Sequence, residues 1–236
     1  MIDINERLDQ KDWLAFNNEM HEQGFSIVRN VLSESECDFL KSIYTEEQYF
    51  RKTISMERYR FGKGEYKYFT YPLPEILDTL RHRFFEQLSP IANQWMEQLN
   101  INRNYPDNLD DFLSLCHDSG QDKATLLILK YKKGGYNTMH QDLYGEIFFP
   151  MQIVISLDQA DADYTGGEFI ISEQIPRAQS RVNVLRPNKG DILAFTTNFR
   201  PMKGSRGYYR VNMKHGVGTV HEGTRHTLGI IFHDAK

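Results

Sequence analysis

The fold depends first on residues 126–145, which read LLILKYKKGGYNTMHQDLYG. An apolar run leads into a turn at Gly134 and Gly135, and extended structure resumes toward His140 and Asp142. Residues i and i+2 of a strand point to the same face, so we expect this imidazole and this carboxylate to converge. With a second histidine, the pair would form the two-histidine, one-carboxylate set that leaves open coordination positions on iron(II).

Strand-like segments follow this stretch closely and are separated by Gly, Pro, Asn and Asp. They lie at residues 125–131, 147–157, 168–172, 182–185, 191–196, 208–215 and 225–232. Short strands at this density are typical of a sandwich or barrel, and we predict a jelly roll over residues 124–236. Residues 1–123 favour helices, so the predicted class is α+β, with residues 1–236 forming a single domain.

Three segments of the N-terminal part carry helical signals. Residues 5–23 form an amphipathic pattern that ends at Gly24. Ser33 followed by Glu36 is a capping-box pattern that opens a second helix. Apolar residues recur at helical spacing over residues 74–100, which predicts a long helix with Pro90 as a possible kink.

Residues 49–72 place eight aromatic residues among basic ones and include Gly62 and Gly64. We expect a hairpin or a mobile loop here. Interleaved aromatic and basic side chains suit single-stranded nucleic acid, which they bind by stacking and by charge. The alternative is an aromatic hairpin that packs on the core and covers a pocket.

Composition limits the classes of protein that fit. Hydrophobic residues make up 40% of the 236 residues, which indicates a globular chain with a sizeable core. No apolar run approaches the roughly 18 residues that span a bilayer, and the N-terminus shows no apolar signal region, so we expect a cytoplasmic protein without membrane contact. The two cysteines lie far apart and predict neither a disulfide framework nor a zinc site.

Charge is distributed unevenly along the chain. The net charge is −4, yet residues 177–214 hold nine basic residues and one acid, which gives this segment +8 and the remainder −12. Residues 51–67 hold six basic and two acidic residues. This asymmetry favours an anionic ligand or partner, with nucleic acid as one candidate; solvated charged loops are the alternative.

The final strands supply the residues that the opening pair lacks. His215 follows Asp142 by 73 residues and is a candidate second histidine ligand, and Arg225 follows ten residues later. Arg225 and Thr227 share one face of a strand, where a guanidinium and a hydroxyl suit a carboxylate. Because a jelly-roll interior is otherwise apolar, an inward arginine there requires an anionic partner.

Taken together, these residues resemble the iron(II)- and 2-oxoglutarate-dependent dioxygenases, which have a cupin-like double-stranded β-helix. The resemblance covers about residues 126–233. Besides His140, Asp142, His215 and Arg225, it rests on YKKG at 131–134, TGGE at 165–168 and KGDILAF at 189–195.

The resemblance implies three cofactors and cosubstrates: Fe(II), 2-oxoglutarate and O2. The iron ligands would be His140, Asp142 and His215, which are also the catalytic residues. Arg225 and Thr227 would hold the distal carboxylate of 2-oxoglutarate, with Tyr131 as a further donor. The implied reaction hydroxylates a substrate C–H and releases succinate and CO2.

A narrower resemblance points to a bacterial group of oxygenases named for acting on alkylated DNA. It rests on HQDLYGEIFFPMQIVISL at 140–157, TGGEFIISEQ at 165–174, RPMKGSRGYYRVNMKHGV at 200–217 and RHTLGIIFHDA at 225–235. This group implies DNA alkylation repair. The spacing of ten residues from His215 to Arg225, however, is similar to that of the hydroxylase branch.

Six residues are candidates for substrate contact because they flank the predicted metal site or carry charge near it. They are Tyr136, Tyr144, Gln152, Arg200, Arg206 and Arg210. Core packing is the alternative for the tyrosines, and solvent exposure is the alternative for the others.

Three functions remain open. The first is oxidative dealkylation of damaged nucleic acid, and the second is hydroxylation of a protein side chain or small metabolite. The third is a cupin-like domain that binds metal without catalysis, which would have no need for Arg225. The sequence determines neither the substrate nor the oligomeric state.

Overall fold

The computed structural model describes residues 3–142 and 145–236, which form five α-helices and fourteen β-strands. The helices are α1 (Ile4–Asp9), α2 (Trp13–Gln23), α3 (Glu34–Ser42), α4 (Glu75–Gln98) and α5 (Leu109–Asp118). The first seven strands are β1 (Phe25–Val28), β2 (Phe50–Ser55), β3 (Gly62–Lys63), β4 (Glu65–Phe69), β5 (Leu127–Lys132), β6 (Tyr136–His140) and β7 (Met151–Ser156). The others are β8 (Tyr164–Gly166), β9 (Phe169–Gln174), β10 (Ser180–Leu185), β11 (Ile192–Thr196), β12 (Phe199–Gly204), β13 (Gly207–Val217) and β14 (Val220–Ile231).

The strands form two antiparallel sheets. The larger has the order β1-β11-β7-β14-β5-β4-β2, with β8 paired to β14, and the smaller has the order β10-β9-β13-β6-β3, with β12 paired to β13. Strands that are distant in sequence are neighbours in both sheets, as a jelly roll requires. The predicted α+β class with a double-stranded β-helix core is therefore confirmed.

Alternation along the central strands creates two apolar cores. Ile153 and Ile155 of β7 belong to the core that the larger sheet shares with the helices, whereas Val154 belongs to the core between the sheets. The long helix α4 provides Phe84, Phe85 and other buried residues to the first core. No helix in the described part of the chain has the length and apolarity that crossing a bilayer requires.

The helical predictions hold with one exception. The capping box of Ser33 and Glu36 begins α3, and α4 continues through Pro90. The prediction of one helix over residues 5–23 was wrong, because α1 ends at Asp9 and α2 begins at Trp13. Asp12 causes the second start: its carboxylate accepts a hydrogen bond from the Ala15 backbone N–H and caps α2.

Residues 49–72 bridge the two sheets. Strands β2 and β4 form a hairpin that joins the larger sheet through β5, while β3 pairs with β6 of the smaller sheet. Gly62 permits this contact, since a Cβ there would lie 2.3 Å from the Tyr136 carbonyl oxygen. The N-terminal part therefore contributes strands as well as helices.

Strand β12 was not predicted from sequence, because Pro201 reads as a strand breaker. The structure tolerates this proline because β12 lies at an edge and pairs with β13 alone. The hairpin of β12 and β13 carries Arg200, Arg206 and Arg210, so its placement decides what these charges can contact.

Candidate active site

Three potential metal ligands meet between the sheets. His140 ends β6 and pairs directly with His215 of β13, and Asp142 follows two residues after β6. Asp142 Oδ2 lies 3.3 Å from His215 Nε2, and Asp142 Oδ1 lies 3.5 Å from His140 Nε2. All three donor groups lie within 4.8 Å of one another, a spacing that suits one divalent ion.

The prediction that His140 and Asp142 converge because they share one face of a strand was wrong. Because β6 ends at His140, Asp142 does not share a strand face with it. Cross-strand pairing brings the two histidines together, with ring centroids 4.2 Å apart, and the chain after β6 brings in the carboxylate.

Each histidine is oriented by its surroundings. His140 Nδ1 lies 2.7 Å from the Thr138 carbonyl oxygen; donation from Nδ1 leaves the Nε2 lone pair available for a metal. The His215 ring stacks on Phe169 at 5.8 Å and lies 4.7 Å from Phe195. Burial, and then the neighbouring His215, lower the pKa of His140, which favours the neutral form that binds metals.

Gln141 fixes the segment between the ligands and was missed by sequence reasoning. Its Nε2 donates to the Asn198 carbonyl at 2.8 Å, the Asn198 Oδ1 at 2.9 Å and the Met213 carbonyl at 2.8 Å. The Asn198 Oδ1 also accepts a hydrogen bond from Arg210 Nη2 at 3.1 Å. In the sequence, the one signal for this role is that Gln141 lies between the predicted ligands His140 and Asp142.

Arg225 is a buried cation without an anionic partner among the described residues. It is 3% exposed; its Nη1 donates to Thr227 Oγ1 at 3.4 Å, and its Nε has no hydrogen-bond partner there. Its guanidinium carbon lies 5.7 Å from the ring centroid of Tyr131, which faces it in the β14–β5 register. A buried guanidinium is costly unless an anion compensates it, so the arrangement fits a carboxylate ligand.

Tyr131 adds a hydrogen-bond donor beside this cation. The side chain is fully buried, and burial raises its pKa to about 12 although the adjacent Arg225 acts in the opposite direction. Its hydroxyl makes no hydrogen bond of regular geometry among the described residues, although the Asn137 side chain lies near enough to lower this pKa. A protonated phenol with a free hydrogen suits an oxygen ligand.

One cavity of about 300 Å³ is lined both by the three potential metal ligands, His140, Asp142 and His215, and by the buried Arg225. Arg225, Thr227 and Tyr131 line it from the larger sheet. Residues 49–72 cover part of it with four side chains: Met56, Phe61, Tyr66 and Tyr68. The rest of the wall is largely apolar, which limits access of water to the ligands.

The candidates for substrate contact separate into two groups. Gln152 lines the cavity, is 6% exposed and has no hydrogen-bond partner for its Nε2 among the described residues. Tyr136 is exposed on β6 and does not line the cavity. Tyr144 lies outside the described residues.

The three arginines of the β12–β13 hairpin do not reach the cavity. Arg200 is buried and paired with Glu173, to which its Nε and Nη2 donate at 2.8 and 2.6 Å. Arg210 binds Asn198 and lies over the Phe199 ring at 4.2 Å, and Arg206 is exposed in the hairpin turn. Because Glu173 already pairs with Arg200, this arginine is not available to bind an anionic ligand.

The fold is that of the 2-oxoglutarate–Fe(II) oxygenases. A prolyl 4-hydroxylase from Pseudomonas putida is similar over 95% of this chain and 99% of its own, with a TM-score of 0.57 and 13% identity. A 2OG-Fe(II) oxygenase family oxidoreductase from Burkholderia pseudomallei is similar over 96% of this chain and 94% of its own, with a TM-score of 0.58 and 14% identity.

The chain belongs to the Oxygenase-NA family, described as an oxygenase catalysing oxidative methylation of damaged DNA, whose model matches residues 64–235. Two uncharacterized proteins of Mycobacterium tuberculosis, from strains CDC 1551 and H37Rv, are each 44% identical to it over 167 residues. These matches cover 71% of this chain and 72% of each relative. The protein is therefore an oxidoreductase of the oxygenase class.

Proposed function

We propose that the protein is an iron(II)- and 2-oxoglutarate-dependent dioxygenase that hydroxylates a substrate C–H. One observation carries the proposal: three metal-type donors share a cavity with a buried arginine that has no anionic partner among the described residues. The donors fit iron(II), and Arg225 fits a dicarboxylate that reaches from the metal to the larger sheet. A domain that only stores a metal gives no reason for the buried cation.

Bound iron(II) supplies oxygen activation: one O2 converts one 2-oxoglutarate to succinate and CO2 and leaves one oxygen atom in the hydroxylated substrate. His140, Asp142 and His215 would hold the metal on one side only, as three protein ligands do in open sites of this type. The Thr138 carbonyl orients His140 through a hydrogen bond to Nδ1, and the hydrogen bonds from Gln141 to Asn198 and Met213 hold the segment that carries Asp142.

The larger sheet would bind the cosubstrate. Arg225 would neutralise its distal carboxylate, and Thr227 and Tyr131 would donate hydrogen bonds to the same group. The apolar wall and the cover formed by residues 49–72 exclude water around the reacting groups. The Gln152 side-chain nitrogen, which has no hydrogen-bond partner among the described residues, can donate inside the cavity to either the cosubstrate or the substrate.

We propose an alkylated nucleobase as the substrate class. The description of the family names damaged DNA, and hydroxylation of an N-alkyl carbon gives a hemiaminal that releases an aldehyde. Hydroxylation of a protein side chain or small metabolite is the second candidate. It is favoured by the ten-residue spacing between His215 and Arg225, which is similar to that of the hydroxylase branch.

Anaerobic titration tests the cofactors. Protein with iron(II) and 2-oxoglutarate should develop the visible charge-transfer absorption of a chelated keto acid. Asp142→Ala should abolish this absorption, whereas Arg225→Ala should retain iron and weaken 2-oxoglutarate binding by at least tenfold, because a charge-assisted pair contributes about 1.5–3 kcal/mol.

Arg206→Ala is the matched control, since this arginine is exposed and remote from the cavity, and it should leave the titration unchanged. Absence of the absorption in the unmodified protein would refute the proposed function. Loss of iron, rather than of 2-oxoglutarate, in Arg225→Ala would remove Arg225 from its proposed role.

The substrate is tested by product analysis. Single-stranded DNA that carries N-methylated bases should yield formaldehyde and succinate in equal amounts. Succinate formation that rises with a peptide or metabolite mixture, with no formaldehyde from the DNA, would favour the second substrate class.

A further inference from the structure

An exposed pair of aromatic rings lies at the tip of the segment that covers the cavity. We call residues 56–64 the platform loop. Its Tyr59 and Phe61 stack on each other with ring centroids 5.6 Å apart and planes 19° apart, yet each side chain is 46% exposed. Large apolar side chains left in water beside a cavity mark a surface for a ligand.

The platform loop is held in place by its backbone. Phe61 N–H donates to the Met56 carbonyl at 3.0 Å, and Met56 N–H donates to the Gly64 carbonyl at 2.9 Å. The Phe61 carbonyl accepts from both the backbone N–H and the hydroxyl of Thr138, at 2.9 and 2.8 Å. Thr138 also binds His140 through its own carbonyl, so the aromatic pair is fixed relative to the metal ligands.

The charge around the pair is positive. Arg58, Arg60 and Lys63 are exposed, and none of them forms an ion pair with any described residue. The single acid of the loop, Glu57, accepts hydrogen bonds from the Ser55 hydroxyl and the Gly64 N–H. Three cations against one acid leave a surface that attracts a polyanion.

The aromatic pair is continuous with the cavity. Phe61 lines the cavity together with His140 and Asp142, while Tyr59, stacked on it, does not line the cavity. A ligand that stacks on Tyr59 would therefore lie directly beside whatever enters the cavity.

We propose that the platform loop binds single-stranded nucleic acid: Tyr59, supported by Phe61 behind it, stacks on an unpaired base next to the one presented to the metal, and Arg58, Arg60 and Lys63 contact the phosphates. The inference rests on the proposed function and identifies the partner and its surface. Aromatic faces joined with unpaired cations suit single strands, because bases in a duplex already stack on each other. An apolar protein partner would explain the exposed rings but not the excess of two positive charges around them.

Binding of a fluorescein-labelled single strand of about 12 nucleotides, measured by anisotropy without turnover, tests the proposal. Tyr59→Leu keeps an apolar side chain but removes the ring, and it should weaken binding about tenfold, as loss of one stacked base does. Tyr59→Phe should restore affinity to within about twofold of the original. Tyr208→Leu, which removes a similarly exposed ring from β13, is the matched control and should have no effect.

The salt dependence tests the charges separately. For single strands, log K changes with log salt by about 0.7 per phosphate contact, so Arg58→Gln, Arg60→Asn and Lys63→Gln combined should reduce the slope by roughly 2. The matched triple variant Lys203→Gln, Arg206→Gln and Lys214→Gln removes three exposed cations from β12, β13 and the turn between them. This control variant should leave the slope unchanged. If it lowers the slope and the platform-loop variant does not, the nucleic acid binds to the β12–β13 hairpin and the proposal is overturned.

The charge-transfer absorption with iron(II) and 2-oxoglutarate is recorded for every variant, which shows that each retains its fold and metal site. If the absorption is present but the unmodified protein binds no single strand, the platform proposal fails while the dioxygenase function stands. If the absorption is absent, the proposed function fails regardless of nucleic-acid binding. Equal affinity of Tyr59→Leu and the unmodified protein would also refute stacking.

Discussion

At the scale of single residues, the candidate metal site depends on side chains that hold the metal ligands in position. The amide nitrogen of Gln141 shares its two hydrogens among three oxygens, which belong to the backbone and side chain of Asn198 and to the backbone of Met213. Because Asp142 is the next residue and lies beyond the end of β6, these bonds replace the strand pairing that would otherwise hold the carboxylate. Residues that orient metal ligands in this way typically contribute 10- to 100-fold to metal affinity.

We therefore expect Gln141→Ala to weaken iron(II) binding by about tenfold or more. Anaerobic titration with iron(II) or cobalt(II) measures this effect. Gln174→Ala, at an exposed position on β9, is the control and should bind metal normally. Equal affinities for the two variants would show that Asp142 is held by other contacts.

Residue chemistry also explains which site residues were predictable. His140, Asp142, His215 and Arg225 combine metal-binding or cationic side chains with positions that the sequence predicted to be strands, so their types and spacing indicated a site. Gln141 and Asn198 carry ordinary amides, and nothing in their local sequence distinguishes them from surface residues. Their role appears only when β12 and β13 lie beside the metal segment.

At the scale of elements, the β12–β13 hairpin is tied to the smaller sheet by a buried ion pair. Arg200 of β12 donates twice to one carboxylate oxygen of Glu173 on β9, across the intervening β13. Both side chains are less than a tenth exposed. Removing one partner of such a pair leaves an uncompensated charge in a low-dielectric environment.

Arg200→Leu should lower the free energy of unfolding by about 3–5 kcal/mol, because Glu173 would remain buried without its partner. Urea denaturation measures the loss, and the double variant Arg200→Leu, Glu173→Leu should recover most of it. Arg206→Leu, in the exposed turn of the same hairpin, should change stability by at most about 0.5 kcal/mol. A mild effect of Arg200→Leu would indicate that the pair is not stabilising the hairpin.

Elements with strong local periodicity were predictable, and those shaped by their neighbours were not. The bounds of the strands β5, β7, β11, β13 and β14 and of the helix α4 lie within five residues of those expected from sequence. The strand β12 was missed because Pro201 is acceptable only at an edge, and the edge is a property of the sheet. The covering role of residues 49–72 also depends on pairing with β5 and β6, which are remote in sequence.

At the scale of the whole molecule, the C-terminal segment passes into the interior. Asp234 is fully buried and accepts hydrogen bonds from Arg81 and Tyr71. The neighbouring His233 is 1% exposed, and its Nδ1 accepts a hydrogen bond from the Phe149 N–H at 3.2 Å. Burial, followed by the nearby Arg81 charge, lowers the pKa of His233 from 6.5 to about 4.

This shift predicts a loss of stability in mild acid. The unfolded chain takes up a proton on His233 below pH 6.5, whereas the folded chain does so only near pH 4, so stability is complete above pH 6.5 and falls as the pH drops toward 4. The expected loss by pH 4.5 is about 2–3 kcal/mol. Urea denaturation as a function of pH measures it.

His233→Gln, which retains a hydrogen-bond acceptor but does not titrate, should reduce the loss between pH 7 and 4.5 by that amount. His21 and His140 also have lowered pKa values and add loss of the same sign, so only the difference between proteins is assigned to His233. His221→Gln is the control at an exposed position. Parallel stability curves for His233→Gln and the unmodified protein would contradict the assignment.

The sequence by itself determined the class of fold, the residue types of the candidate metal site and the buried arginine, because periodicity and side-chain chemistry are local properties of the chain. Only the tertiary structure decided how Asp142 reaches the two histidines and that Arg200 pairs with Glu173 in the interior. It also decided between the alternatives for residues 49–72, which lie over the cavity with an aromatic pair exposed. Each of these depends on pairings between strands far apart in sequence, such as β6 with β13 and β3 with β6. The physical reason is that such pairings are chosen by the burial and hydrogen bonding of the whole sheet, which no single segment encodes.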